Sequence, residues 1–172
     1  MNDPTHSAAK NAAAGAEPST QYLTFELAQE RFAVPVLSVQ EIRGWEPVAK
    51  IPHTPHYVHG VINLRGAIVP IVDLRARLAM APTEMTSTTV VIVTSATVGA
   101  GAPVVVGWVV DAVSDVADVA ADQVRPAPEM CGAQIARCLR GIASVDDRLA
   151  MLLDVAGLLE GTLLPPGAKS AA

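Results

Sequence analysis

Aromatic side chains make up only 3% of the chain, so it offers little for nucleobases to stack on. Positive charge is also in short supply. Twelve Lys and Arg stand against 17 Asp and Glu, a net charge of −5, which leaves no basic face for a phosphate backbone. Two cysteines, Cys131 and Cys138, form neither a disulfide framework nor a CxxC knuckle, and nothing here asks for an oxidising compartment. There is no GxSxG elbow, no P-loop and no dinucleotide fingerprint. A continuous apolar run is missing from the first twenty residues, MNDPTHSAAKNAAAGAEPST, which read as a disordered arm and not as a signal peptide.

What is present is apolar. Hydrophobic residues account for 51% of the 172 positions, enough for one domain or two small lobes around a shared core. From Met85 to Val110 no residue is charged. A membrane span wants about 20 continuously apolar residues. This run breaks at VGAGAP between two Val-rich halves, so two buried strands joined by a turn are expected.

Other strands follow from alternation and turn chemistry. QYLTFEL alternates Leu23, Phe25 and Leu27 with polar positions, and RFAVPV returns after the turn AQE, with Pro35 at its end. GVINLRGAIVPIVDL reads as a hairpin with Arg65-Gly66 at its tip. Asp73 is placed to cap a short helix, LRARLA. LRGIASVDDRLAMLLD is a second hairpin turning at Asp146-Asp147, with Asp154 ahead of a closing helix. In LSVQEIRGW the spacing of Val39 and Ile42 suggests a short helical turn presenting Gln40, Glu41 and Arg43 to solvent. In DAVSDVADVAAD, Asp111, Asp115, Asp118 and Asp122 would share one helical face, whereas the valines favour a strand. The strand is preferred, with the aspartates as a solvated face.

The chain also repeats within itself. The segment from Gly60 aligns without a gap to the segment from Gly141, and Asp73 falls on Asp154. Upstream, VQEI from Val39 lies over VSDV from Val113. Two similar lobes of short strands, each with a capping helix, would give this pattern, and small barrels suit such spacing.

IPHTPHYVHG places His53, His56 and His59 three residues apart. Zinc needs three or four converging ligands. Pro52 and Pro55 interrupt the cluster, and no Cys, Asp or Glu lies within it. A polar loop is favoured over a metal site, and no cofactor is expected.

The run FAVPVLSVQEIRGWEPVAKIPHTPHYVHGVINLRGAIVPIVDLRARL closely resembles the CheW family of bacterial chemotaxis coupling proteins. The match continues through VVDAVSDV, DQVRPAPE and DDRLAMLLD, covering about residues 21 to 160. The resemblance implies a mainly β fold of two intertwined five-stranded SH3-like barrels with short capping helices. Residues 1–20 and 161–172 would then be a disordered arm and a flexible tail. It implies a non-catalytic, cytoplasmic adaptor. Such an adaptor couples the tips of methyl-accepting chemoreceptors to the regulatory domain of the histidine kinase CheA, within membrane receptor arrays. An adaptor of a related chemosensory pathway controlling pili or biofilm fits equally, and a small His-metal enzyme is the reading from another class. The family often carries Asn at the place of His53 and Lys at that of His59, so imidazole is a local variation there. By motif, receptor contact is carried over to Val39, Glu41 and Arg65, with Gly60 and Val116 as weaker candidates. Val39 suits either an apolar anchor or the core. Glu41 and Arg65 suit either recognition or a mutual surface bridge. No kinase-contact residue is assigned.

Overall fold

The computed structural model describes residues 18–163. The expected arm, apart from its last three positions, and the expected tail beyond residue 163 lie outside the described residues. Among these residues ten strands build two five-stranded sheets. The chain opens with β1 (Ser19–Leu27) and β2 (Glu30–Pro35), joined at Ala28-Gln29, both with positive φ. A two-residue hairpin loop with positive φ at both positions matches the twist of its strands. A single 3-10 turn, Val36–Ser38, leads into β3 (Val39–Gly44). Next come β4 (Val58–Leu64), β5 (Ala67–Asp73) and α1 (Leu74–Arg77). The uncharged run forms β6 (Val90–Thr97) and β7 (Pro103–Val110), paired antiparallel along their whole length. Finally come β8 (Ala112–Ala120), α2 (Ala133–Cys138), β9 (Leu139–Val145), β10 (Arg148–Leu153) and α3 (Val155–Leu163).

The first lobe has the strand order β3-β6-β7-β5-β4, and the second β8-β1-β2-β10-β9. These orders superimpose term by term. In each, one inner pair is parallel, β5 with β7 and β10 with β2. The N-terminal hairpin therefore fills in the second lobe the place that β6 and β7 fill in the first. Two lobes are intertwined because the chain starts in one, builds the other, and returns. The repeat read from the sequence is this symmetry: β4–β5–α1 corresponds to β9–β10–α3, and β3 to β8.

Both lobes close in the same way. The chain leaving edge strand β3 returns at Ala49 to pair with Val61 on the opposite edge, β4 (N–O distances 3.2 and 2.9 Å). In the second lobe Arg125 pairs with Ile142 of β9, with both bonds at 2.8 Å. At each seam a glycine lets the crossing backbone approach. A Cβ at Gly60 would collide with the Ala49 carbonyl oxygen, and one at Gly141 would sit 2.6 Å from that of Arg125.

One core serves both lobes. Phe25, Leu27 and Phe32 from the second sheet pack with Val72, Leu74, Ile92 and Trp108 from the first, and Leu158 and Leu159 of α3 cover them. Trp108 is buried, and its indole N–H donates to Thr94 Oγ1 at 2.8 Å, so no polar atom is left unsatisfied there. The two capping aspartates behave alike. Asp73 Oδ1 accepts from Ala76 N and Asp154 Oδ1 from Ala156 N, each at 3.2 Å.

Three expectations change. VQEIRG is not a helical turn but strand β3, hydrogen-bonded to β6, with a bulge between Val39 and Glu41. The bulge adds a residue to the strand, so an apolar spacing of three came from an irregular strand. Asp111 is not part of a solvated face: it is half-buried and ion-paired with Arg75 of α1. The closing helix runs on to Leu163, and Thr162 is buried within it, so the ordered chain passes the expected boundary at 160. Among the described residues no helix is long and apolar enough to cross a membrane.

The seam glycines give a test of this architecture. Gly60→Ala and Gly141→Ala should each destabilise by about 1–3 kcal/mol, because a methyl group must displace backbone. Gly44→Ala, with open space around it, should stay within about ±0.5 kcal/mol. Urea denaturation of the three variants measures the difference.

Candidate interaction site

The first-lobe seam brings the strongest sequence candidates together. β3 and β4 are the two edges of one sheet, so closure sets Glu41 on β3 opposite Arg65 at the β4–β5 tip. Arg65 Nη2 donates to Glu41 Oε2 at 2.9 Å. Arg65 has φ 51° and Gly66 φ 87°, and Gly66 N donates to Asn63 Oδ1 at 2.9 Å, so the tip is held by its own side chain. The Arg65 side chain keeps 80% of its exposure, against 21% for Glu41. The acid is thus held against the sheet while the arginine projects into water.

The ion pair continues along β3. Arg43 Nε lies 3.7 Å from Glu41 Oε1, and Arg43 Nη2 lies 3.9 Å from Glu46 Oε2. Charges alternate in sign along this edge. Between Glu41 and Arg43, Ile42 points to the other side of the strand and is 45% exposed. Val39 is half-buried and packs against the shared core, so it joins the site to the interior.

The remaining candidates sit differently. Gly60 is buried beneath the Ala49 carbonyl. Substituting it would move the connector and the hairpin that carries Arg65, so its part is to hold the seam in place. Val116 lies on β8 of the other sheet, 49% exposed, and none of its hydrogen bonds reaches the first-lobe seam. By the internal repeat it occupies the position of Ile42. Sequence reasoning passed over Ile42, Arg43 and Glu46. The alignment of VQEI with VSDV held the signal for Ile42, since it pairs that residue with a candidate already chosen.

The histidines do not converge. His53 sits at φ 64° in an exposed turn, and His56 meets the edge of Tyr57 with ring centres 5.4 Å apart. His59 meets Trp45 at 5.2 Å and places Nε2 3.4 Å from Asp73 Oδ2. Among the described residues no group of three His, Cys, Asp or Glu could hold a metal ion. Burial pushes the Asp73 carboxyl up. The His59 side chain, the Ala76 N–H, the His59 charge and the Arg75 N–H together outweigh burial and hold it below its ordinary value of 3.8.

The profile for the CheW-like domain matches residues 21–162. This chain belongs to the CheW-like family. A probable chemotaxis protein CheW of Rhizobium etli is 40% identical over 142 residues, covering 83% of this chain and 88% of that one. The chemotaxis protein CheW of Klebsiella aerogenes is 41% identical over 146 residues, covering 85% of each. Among solved structures, the scaffolding protein CheW of Thermoanaerobacter tengcongensis matches with a TM-score of 0.71 at 26% identity, over 87% of this chain and 93% of that one. The CheW-like architecture expected from the sequence motifs is thus the one observed, two five-stranded sheets included.

Two measurements probe the site in the free protein. Arg65→Ala should change stability by no more than about 0.5 kcal/mol, since an exposed ion pair contributes little. Thermal unfolding reads this directly. Asp73 should mark the acid side of the stability profile. Its carboxyl is lowered in the folded state, so its contribution is complete above the unfolded value. It is then lost as pH falls through the folded value. Asp73→Asn keeps a cap but no charge. Its stability deficit against the native chain, measured by urea midpoints, should therefore shrink as pH falls below the ordinary carboxylate range.

Proposed function

We propose that this chain is a non-catalytic scaffold adaptor of chemotaxis signalling. It joins the cytoplasmic tips of methyl-accepting chemoreceptors to the regulatory domain of the histidine kinase CheA, in the cytoplasm at membrane receptor arrays. Membership of the CheW-like family supports the adaptor role, and so does the description of the Thermoanaerobacter relative as a scaffolding protein.

The observation that carries the receptor assignment is the Glu41–Arg65 pair. A hairpin tip has little structural use for an arginine that is 80% exposed. Interface arginines of this kind act through directional, charge-assisted hydrogen bonds. Glu41 holds the guanidinium in place before binding, which lowers the entropy lost on docking. The exposed Ile42 supplies apolar surface on the same strand, and Val39 ties that strand to the core. Opposite charges along β3 then select the orientation of the partner. Gly60 supports this surface from beneath. Val116 offers a second apolar contact on the equivalent strand of the other lobe.

The test separates the partners. Arg65→Ala should fold normally, weaken binding to a receptor-tip fragment by at least about tenfold (~1.4 kcal/mol) and spare the kinase regulatory domain. Glu41→Lys should do the same, since it reverses the charge that holds Arg65. Separate titrations against the two fragments decide the matter. Unchanged receptor affinity would move the receptor surface away from the seam. Loss of both partners with a lower melting temperature would make Arg65 structural.

A further inference from the structure

The two lobes are joined by a single residue at their second crossing. β7 ends at Val110 in the first sheet, and β8 begins at Ala112 in the second. Asp111 stands between them, and it is held from both sides. Its backbone N–H donates to Glu26 O at 3.1 Å, and its Oδ2 accepts from Ala28 N at 2.8 Å, so it is anchored to the β1–β2 turn of the second lobe. From the first lobe, Arg75 of α1 donates to both carboxylate oxygens, Nε to Oδ1 at 2.8 Å and Nη2 to Oδ2. The same guanidinium donates through Nη1 to Ala81 O at 3.1 Å, which fixes it to the loop after α1. The Arg75 side chain is only 12% exposed.

The shared core packs side chains of both lobes together and resists gross sliding. Apolar attraction is nevertheless non-directional, so a directional contact between the lobes adds a constraint on their angle that burial alone does not supply. A two-bond guanidinium–carboxylate contact is directional and admits one orientation. Partly buried ion pairs add little net stability over apolar replacements but can specify one arrangement.

We propose that the Arg75–Asp111 pair is a latch across a one-residue hinge, and that it sets the angle between the two lobes. The angle matters wherever a partner touches both lobes at once. The latch itself requires no partner, so its test is independent of the receptor assignment.

Nitroxide labels at Ile68→Cys and Leu149→Cys, exposed positions on β5 and β10, report one lobe each; Cys131→Ser removes the accessible native thiol, and Cys138 is buried. Pulsed electron resonance on the free full chain should give one narrow distance distribution. Arg75→Met with Asp111→Leu keeps the volume apolar and removes the directionality. It should retain a cooperative thermal transition while the distribution broadens or gains a second maximum. A folded double variant with the native distribution would overturn the proposal. If the double variant does not fold, Arg75→Met alone leaves Asp111 its bonds to the β1–β2 turn and is measured in the same way. Broadening there supports the latch, and an unchanged distribution overturns it.

Discussion

The structure depends on a backbone crossing repeated twice. A five-stranded sheet this small has two open edges, and each edge is a row of unpaired amides and carbonyls. The chain closes each sheet with its own connector, Ala49 against Val61 and Arg125 against Ile142. That closure requires a residue without a side chain beneath the crossing carbonyl. Gly60 and Gly141 meet that requirement. Once the first seam is closed, Glu41 and Arg65 face each other from what were opposite ends of the sheet. The surface proposed for receptor recognition is a consequence of the closure.

Intertwining follows from where the chain begins. The β1–β2 hairpin supplies to the second lobe what β6–β7 supplies to the first, so neither lobe is a continuous piece of chain. The second lobe cannot form its central strands without the N-terminal hairpin, and that hairpin packs on residues of the first lobe. Phe25 and Phe32 stack at 6.0 Å within this junction. Folding of the two halves is therefore coupled through one core.

Structure and recognition draw on different chemistry. The shared core is built from apolar residues, and its buried indole is bonded, Trp108 to Thr94. At the seam surface the residues are charged and half-exposed, and an ion pair there adds little to stability. Such groups are free to be optimised for a partner. Val39 is the exception, packed against the core while lying on the strand proposed for recognition. On that proposal a change at that position would alter both stability and binding, which makes it a poor residue for separating the two.

Local chemistry settled much of this protein from the sequence alone. The hairpins at Arg65-Gly66 and Asp146-Asp147, the Val-rich pair and the aspartate caps are each set by residues within a few positions of one another. Side-chain alternation and turn preference act over that range. The internal repeat was legible because equivalent strands keep equivalent apolar positions, and the family motifs lie in these same segments. Only the tertiary structure decided that VQEIRG is a strand, since its hydrogen bonds come from β6, about fifty residues away. It also decided that Gly60 serves a crossing backbone and that Ile42 is exposed beside Glu41. Asp111 read as one of four solvated aspartates because its partner, Arg75, is 36 positions away. Contacts at such separations leave no periodicity in a sequence. They arise when strands distant in sequence become neighbours: closure of the sheet edges brings Arg65 to Glu41, and the parallel β5–β7 pair brings Arg75 to Asp111.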